Sequence, residues 1–403
     1  MALWTMENPR PELNFNLVTV DSGLLLKQES KDRVIKTLNR LDSIRLGFLV
    51  HGDNKEERNA SESLVKALGL HTSKILEVKD RSSQADAILG MALGKGKASL
   101  PAKLAAGKHI LHLGERRSGF ISTFNPPKDL ACHKFHKVVW ATECPYDCAY
   151  CYLQLTFRMV PYIRQYLNLE DLFTEINKID SLGKQVVLNS GELADSLAVD
   201  NITQIASEVI NAVLRTRNVQ LLLLTKSSNI DHLPDIDNDK VILAASITTP
   251  YNAATFEPGT ANPYDRIEGL SKAQEKGYRI RCRIDPIITH AEDWEGDYCK
   301  VIKYLFDAVK PEVITIGQPR FYPILLQFIK RRNQEVGEFF ENCAGVSAGE
   351  RQRTEFRERA EVYRKIAHMI EKHGGSVTIA PCKEEPKMLK ELGLNLRKCN
   401  CII

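Results

Sequence analysis

Cys144, Cys148 and Cys151 stand in the stretch C-P-Y-D-C-A-Y-C, three thiols separated by three and then two residues. Thiolates so spaced can wrap one face of a cubane iron–sulfur cluster and leave its fourth iron without a protein ligand, an open coordination position. Zinc is the competing reading, but structural zinc sites present two ligand pairs separated by a longer loop, and no nearby His completes that pattern. Three thiols that only pack in a loop are the bland reading. A second set, Cys382, Cys399 and Cys401, with Cys343 as a further candidate, lies near the end of the chain. An auxiliary iron–sulfur cluster, a zinc ion and free thiols all stay open for it. Ser190-Gly191-Glu192, Lys226 and Ser246 fall at the ends of strand-like runs. Lys226 is a point cation on a flexible stem, suited to a carboxylate partner or simply to solvent.

Such residues need a frame. The chain has 403 residues, 43% hydrophobic and 26% charged, a composition that excludes disordered and collagen-like chains. That length exceeds the roughly 250–300 residues at which single cores stop growing, so two domains are expected. Apolar runs at 46–51, 74–78 and 109–113 read as buried strands, with a helix over 57–68 between them. From Lys137 the alternation becomes regular: strands over 137–141, 185–189, 220–224, 241–247, 279–284 and 313–316, helices over 169–179, 202–214, 264–276 and 297–309. Near-continuous apolar strands separated by helices imply a parallel sheet covered by helices. The expected fold class is α/β: a partial (β/α)6 barrel over 131–325, a smaller N-terminal α/β domain over 1–130 joined through Pro126-Pro127, and a helical C-terminal extension over 326–403 ending in the cysteine tail. In the extension a charged helix is expected over 350–372 and a short strand over 376–379. In a barrel, chemistry sits at the C-terminal ends of the strands, where the Cys144 and Ser190 segments fall.

Lys and Arg number 55 against 51 Asp and Glu, a net charge of +4, too small to argue whole-chain attraction to a polyanion. The start, Met1 to Asn14, lacks the apolar core of a secretory signal, and no apolar run reaches the roughly 18 residues of a membrane span. Ten cysteines without a leader suggest a reducing cytosol, where close spacing means metal or catalysis.

The cysteine spacing, with Tyr150 before the last thiol, resembles the radical S-adenosylmethionine superfamily. That resemblance implies a [4Fe-4S] cluster, S-adenosylmethionine chelated to its open iron, and an external flavodoxin- or ferredoxin-like one-electron reductant. Ser190-Gly191-Glu192 resembles the motif that holds the methionine amino group. The likeness narrows at Cys148-Ala-Tyr-Cys-Tyr-Leu-Gln154 with Pro161-Tyr-Ile-Arg164, at Phe256-Glu-Pro-Gly-Thr260 with Arg266, and at Pro286-Ile287 with His290, Trp294 and Tyr298. These segments, over roughly residues 135 to 320, are similar to the spore photoproduct lyase family, radical enzymes that reverse a thymine dimer in DNA. The resemblance implies that Tyr150, Lys226 and Ser246 contact S-adenosylmethionine and that Tyr150 and Tyr152 serve hydrogen-atom transfer; aromatic packing is the alternative for both tyrosines.

One departure bears on the reaction. The family carries a hydrogen-donating cysteine just past the second strand, and Glu192-Leu-Ala-Asp-Ser196 has none, with Ala194 or Asp195 in its place. A carboxylic O–H cannot replace a weak S–H as a hydrogen-atom donor. Asp195 is then a proton acceptor, a polar substrate contact or a helix N-cap. Three readings follow: dimer repair with another donor, radical modification of a different substrate, and a non-catalytic iron–sulfur protein that binds nucleic acid or relays electrons. Arg158, Arg164, Arg320, Lys330, Arg331 and Arg332 are the expected phosphate contacts. Cys132, Cys282 and Cys299 are expected only to pack, and Gly90 to Lys97 fails the phosphate-loop spacing.

Overall fold

The computed structural model describes residues 13–41, 45–69, 74–79, 81–94, 96–348, 351–394 and 399–402. Most of the polar start, Lys95 and Glu350 lie outside them.

Two sheets organise the chain. The first runs, edge to edge, Lys74–Val78, Arg45–His51, Leu17–Asp21, Ile110–Gly114, Ile163–Tyr166 and Ala141–Thr142, parallel except for the last pair. The second runs Thr378–Pro381, Val313–Ile316, Arg279–Ile284, Val241–Ser246, Val219–Thr225, Val186–Asn189, Phe135–Val138 and Ile121–Phe124, again parallel except at its last pair. A small antiparallel sheet joins Arg320–Phe321, Arg351–Arg353 and Val346–Ala348.

The second sheet has two unlike faces because side chains alternate along each strand. Leu221, Leu223, Leu243, Ala245 and Cys282 enter the main core with helix residues such as Val209, Ile267 and Leu270. On the opposite face Val187, Leu222, Ile242 and Ala244 form a small apolar patch, and the same face continues in Asn189, Arg281 and Arg283. The covering helices start where the sequence supplies caps. Pro263–Glu275, for example, opens with Pro in its first turn and with the Asn262 side chain accepting from the Tyr264 N–H at 2.9 Å.

Several expectations shift. The strand expected over 137–141 divides: the chain leaves the second sheet at Val138 and enters the first at Ala141. The strand Leu17–Asp21 was unforeseen. The helix over 202–214 breaks at Gln204, which adopts φ 55°, into Asp200–Thr203 and Ile205–Leu214. The charged helix begins later, at Phe356, after the strand Arg351–Arg353.

The boundary expected at residue 130 does not separate the sheets, since Ile163–Tyr166 and Ala141–Thr142 complete the first sheet while Ile121–Phe124 belongs to the second. Nor is the C-terminal region appended: Thr378–Pro381 pairs in register with Val313–Ile316 as an edge strand of the second sheet.

Candidate active-site loop and cavity

The three-cysteine loop is an excursion between two short strands that pair with each other, Ala141 opposite Gln165 and Thr142 opposite Arg164. Its base is therefore closed. Gly107, at the end of the helix Leu100–Gly107, lies so close to this excursion that a Cβ there would sit 1.4 Å from the Pro161 carbonyl oxygen, which no other residue tolerates. The next residue, Lys108, donates from Nζ to Glu143 Oε1 at 2.9 Å and to the Cys144 carbonyl at 2.8 Å. Burial works against its charge, but Glu143 and the thiols of Cys144 and Cys151 outweigh that and hold its pKa above the usual lysine value.

Farther along, the Asp147 and Ala149 N–H groups donate to the carbonyls of Pro258 and Phe256 at 2.9 and 2.8 Å. Arg332 clamps Asp147 at 2.6 and 2.7 Å and reaches Gln154 Oε1 at 2.8 Å. Arg332 thus braces the loop instead of offering itself to phosphate, and Arg320 likewise pairs with Asp285 at 3.1 Å.

Cys144 and Cys148 are buried and Cys151 is partly exposed. The three thiols are near enough that Cys144 and Cys151 each raise the pKa of Cys148, after the larger effect of burial. Among the described residues, no three His, Cys, Asp or Glu side chains are gathered closely enough to hold a single metal ion. A cubane spaces its thiolates more widely, and a donor set of three thiols on a closed loop, backed by the Lys108 cation, fits it.

Cys151 opens on a cavity of about 450 Å³ whose wall includes Tyr150, Tyr152, Gly191, Glu192, Arg283 and Cys382. Gly191 follows its strand so closely beside the next one that a Cβ would stand 2.5 Å from Leu224 Cβ. The absent side chain is what lets the Ser190–Glu192 turn lie flat and aim Glu192 at the cavity. Tyr152 donates to the Glu192 carbonyl, and Lys383 approaches the Glu192 carboxylate at 3.8 Å.

Behind Tyr150 lies a hub that sequence reasoning did not single out as a site residue. Glu257, 3% exposed, accepts from the Tyr150 hydroxyl, from Arg266 Nη2 at 2.6 Å, and faces Lys226 Nζ at 3.7 Å. Burial alone raises a carboxyl pKa; Lys226 and Arg266 outweigh it and hold Glu257 below its ordinary range. Arg266 also donates to the Ser246 carbonyl at 2.7 Å, so the segment Phe256–Thr260, the cysteine loop and two strand ends are tied into one network. The available signal was the acidic residue inside a segment already matched to the family.

Other expected residues have structural tasks. Asp195 accepts from Leu197 N, Ala198 N, Thr225 Oγ1 and Lys226 N at 2.6 to 2.9 Å. With four donors on two oxygens, and burial raising its pKa, it caps a turn and steadies the Lys226 strand end; it is not poised as a free base. It does not cap a helix, since the next one starts at Asp200. The Ser190 hydroxyl is engaged by Ser196 at 2.6 Å and the Leu222 carbonyl at 3.0 Å. Lys226, Ser246, Ser190 and Asp195 are absent from the cavity wall and support it from behind. Cys382 reaches the cavity, while Cys399 and Cys401 lie in a smaller adjoining one and Cys343 reaches neither.

The spore photoproduct lyase family model matches residues 94–334, more than half of the chain. This chain belongs to the spore photoproduct lyase family. It is 30% identical to the spore photoproduct lyase of Geobacillus sp. (strain Y412MC61) over 201 residues, 49% of this chain and 57% of that protein. To the Bacillus subtilis (strain 168) spore photoproduct lyase it is 30% identical over 208 residues, 51% of this chain and 58% of that protein. The alignments thus span less than two thirds of these curated relatives. The fold agrees over a longer stretch: a solved spore photoproduct lyase complexed with dinucleoside spore photoproduct superposes with a TM-score of 0.69 at 22% identity, covering 91% of this chain and 98% of that one. A mutant lyase with bound AdoMet and the same dinucleoside gives 0.69 at 21% identity, covering 91% and 99%. No helix among the described residues is long and apolar enough to cross a membrane.

Proposed function

We propose that this chain is a radical S-adenosylmethionine enzyme whose Cys144, Cys148 and Cys151 hold a [4Fe-4S] cluster, with S-adenosylmethionine bound beside Tyr150, Gly191 and Glu192. One observation carries the reading: the three-thiol loop opens through Cys151 onto a cavity of about 450 Å³ bounded by those residues. The cluster's contribution when bound is one-electron reduction of S-adenosylmethionine, which releases a 5′-deoxyadenosyl radical able to take hydrogen from a substrate. The chain's own residues do the positioning. Glu192 offers a carboxylate to an amino group, and the Glu257 network, with Lys226 as one of its cations, fixes Tyr150 and the Ser246 strand end behind the pocket. Tyr152, held by the Glu192 carbonyl, is the candidate for hydrogen-atom relay. The second sheet serves as a partial (β/α)6 barrel and the first sheet, with its helices, as its support.

The favoured substrate is a thymine-dimer lesion in a nucleic acid. The solved relatives include complexes with a dinucleoside spore photoproduct, and here Arg283, Arg351 and Lys383 share the cavity wall with Phe124, Phe321 and Tyr322, suited to phosphates and to base faces. A second reading, radical modification of a different substrate, is favoured by the cysteine-free stretch 190–196 and by Asp195 being committed elsewhere. An external flavodoxin- or ferredoxin-like reductant and a reducing cytosol complete the proposal.

Anaerobic reconstitution followed by reduction tests it. 5′-Deoxyadenosine should form from S-adenosylmethionine and should vanish in Cys148→Ala; product from that variant, or none from the wild type, refutes the assignment. Loss of the dimer and recovery of thymidine in UV-irradiated spore-type DNA, scored by mass spectrometry after nuclease digestion, then separates the two substrate readings.

A further inference from the structure

Cys132, Cys382, Cys399 and Cys401 line one small cavity on the face of the second sheet opposite the helices. They come from three distant segments. Cys132 is brought in by the Ala131 N–H donating to the Glu384 carbonyl at 2.7 Å, and Cys382 by its own N–H donating to the Ile316 carbonyl at 2.8 Å. The tail is held by Arg281, whose Nη1 donates to the carbonyls of Cys399, Asn400 and Ile402 at 3.1, 3.1 and 2.7 Å. Asn400, 1% exposed, donates to the Cys282 carbonyl at 2.7 Å, and Asn189 donates to the Cys401 carbonyl at 3.2 Å.

Two further features point to an anionic occupant. Arg283, 8% exposed, donates to Cys401 Sγ at 3.1 Å, yet its Nε is buried without a partner, and so is Thr315 Oγ1 on the same wall. Buried donors are nearly always satisfied, so convergent orphans beside four thiols mark a place for a ligand. Arg320 Nη2 also reaches Cys382 Sγ, at 3.5 Å.

We propose that Cys132, Cys382, Cys399 and Cys401 ligate a second, polynuclear iron–sulfur centre. Four thiolates with neighbouring cations suit the negative charge of a cluster. The cavity is only about 20 Å³, so the site must widen to admit the centre. Glu192, Arg283, Cys382 and Lys383 line both cavities, which places the second centre directly behind Glu192. The inference adds Cys132, drops Cys343, and does not rest on the radical reading.

Iron and acid-labile sulfide are measured after anaerobic reconstitution, with the Mössbauer spectrum. The wild type should bind two clusters' worth of iron, and both Cys399→Ser/Cys401→Ser and Cys144→Ala/Cys148→Ala/Cys151→Ala about half of that. A single cluster's worth in the wild type that the triple variant loses while retaining wild-type circular dichroism overturns the proposal, and so does uptake of zinc in place of iron. If the triple variant keeps its iron while the wild type yields no 5′-deoxyadenosine, the second centre stands and the radical reading falls.

Discussion

The loop around Cys144–Cys151 and the tail Cys399–Ile402 reach adjoining cavities but are held by opposite means. In the loop the backbone does the work: a paired base at Ala141–Thr142, N–H groups of Asp147 and Ala149 bound to the Phe256–Pro258 segment, and a buried ionic hub at Glu257 beneath. In the tail the backbone is passive, and side chains of finished strands, Asn189 and Arg281, grip its carbonyls. A segment tied through its own base can keep its form while its surroundings loosen; one held only by side chains of an assembled sheet exists only once that sheet does. The first region should therefore fail globally and the second locally.

The largest expected effect is that of Glu257→Ala. It strands the fully buried Arg266 and the largely buried Lys226 without their carboxylate, and breaking such a pair costs about 3–5 kcal/mol. Denaturant unfolding should show that loss together with reduced iron uptake by the loop. A change below about 1 kcal/mol would mean that the loop does not depend on the hub.

Arg281→Ala sharpens the other side. Removing a charged donor shared by three carbonyls costs about 2–3 kcal/mol. Because the tail opens alone, amide exchange should accelerate at residues 399–402 and stay unchanged at 147–151. Equal acceleration in both would erase the distinction.

Smallest is Arg332→Ala. Its partner Asp147 has a side chain 41% exposed, so solvent screens the pair and the expected cost is under about 1 kcal/mol. A loss as large as that of Glu257→Ala would show that the loop is held from its surface and not from its core.

The loop was legible because its ligands are close in sequence and thiol spacing alone limits what they can hold. Gly191 and Glu192 were legible for a related reason: a glycine after a strand signals close approach, and Leu224 supplies it. Glu257 and Arg266 lay inside a segment whose likeness to the family was visible, but their joint role needed Tyr150 and Lys226 to arrive from other strands. Asp195 was misjudged as a candidate base because the sequence shows a carboxylate and not the four donors that occupy it. Arg332 and Arg320 were misjudged in the same way, as free cations whose carboxylate partners are remote in the chain.

By itself the sequence determined the alternation of strands and helices, the parallel sheet, the three-thiol loop and the family, since each rests on residues a few positions apart or on apolar periodicity. Only the tertiary structure decided that the chain on either side of residue 130 divides between two sheets, that the C-terminal region supplies an edge strand, and that Cys132 joins Cys382, Cys399 and Cys401. The reason is physical. Periodicity and ligand spacing are properties of short stretches, whereas ion pairing and thiol convergence depend on strand order and register, which many distant contacts settle together.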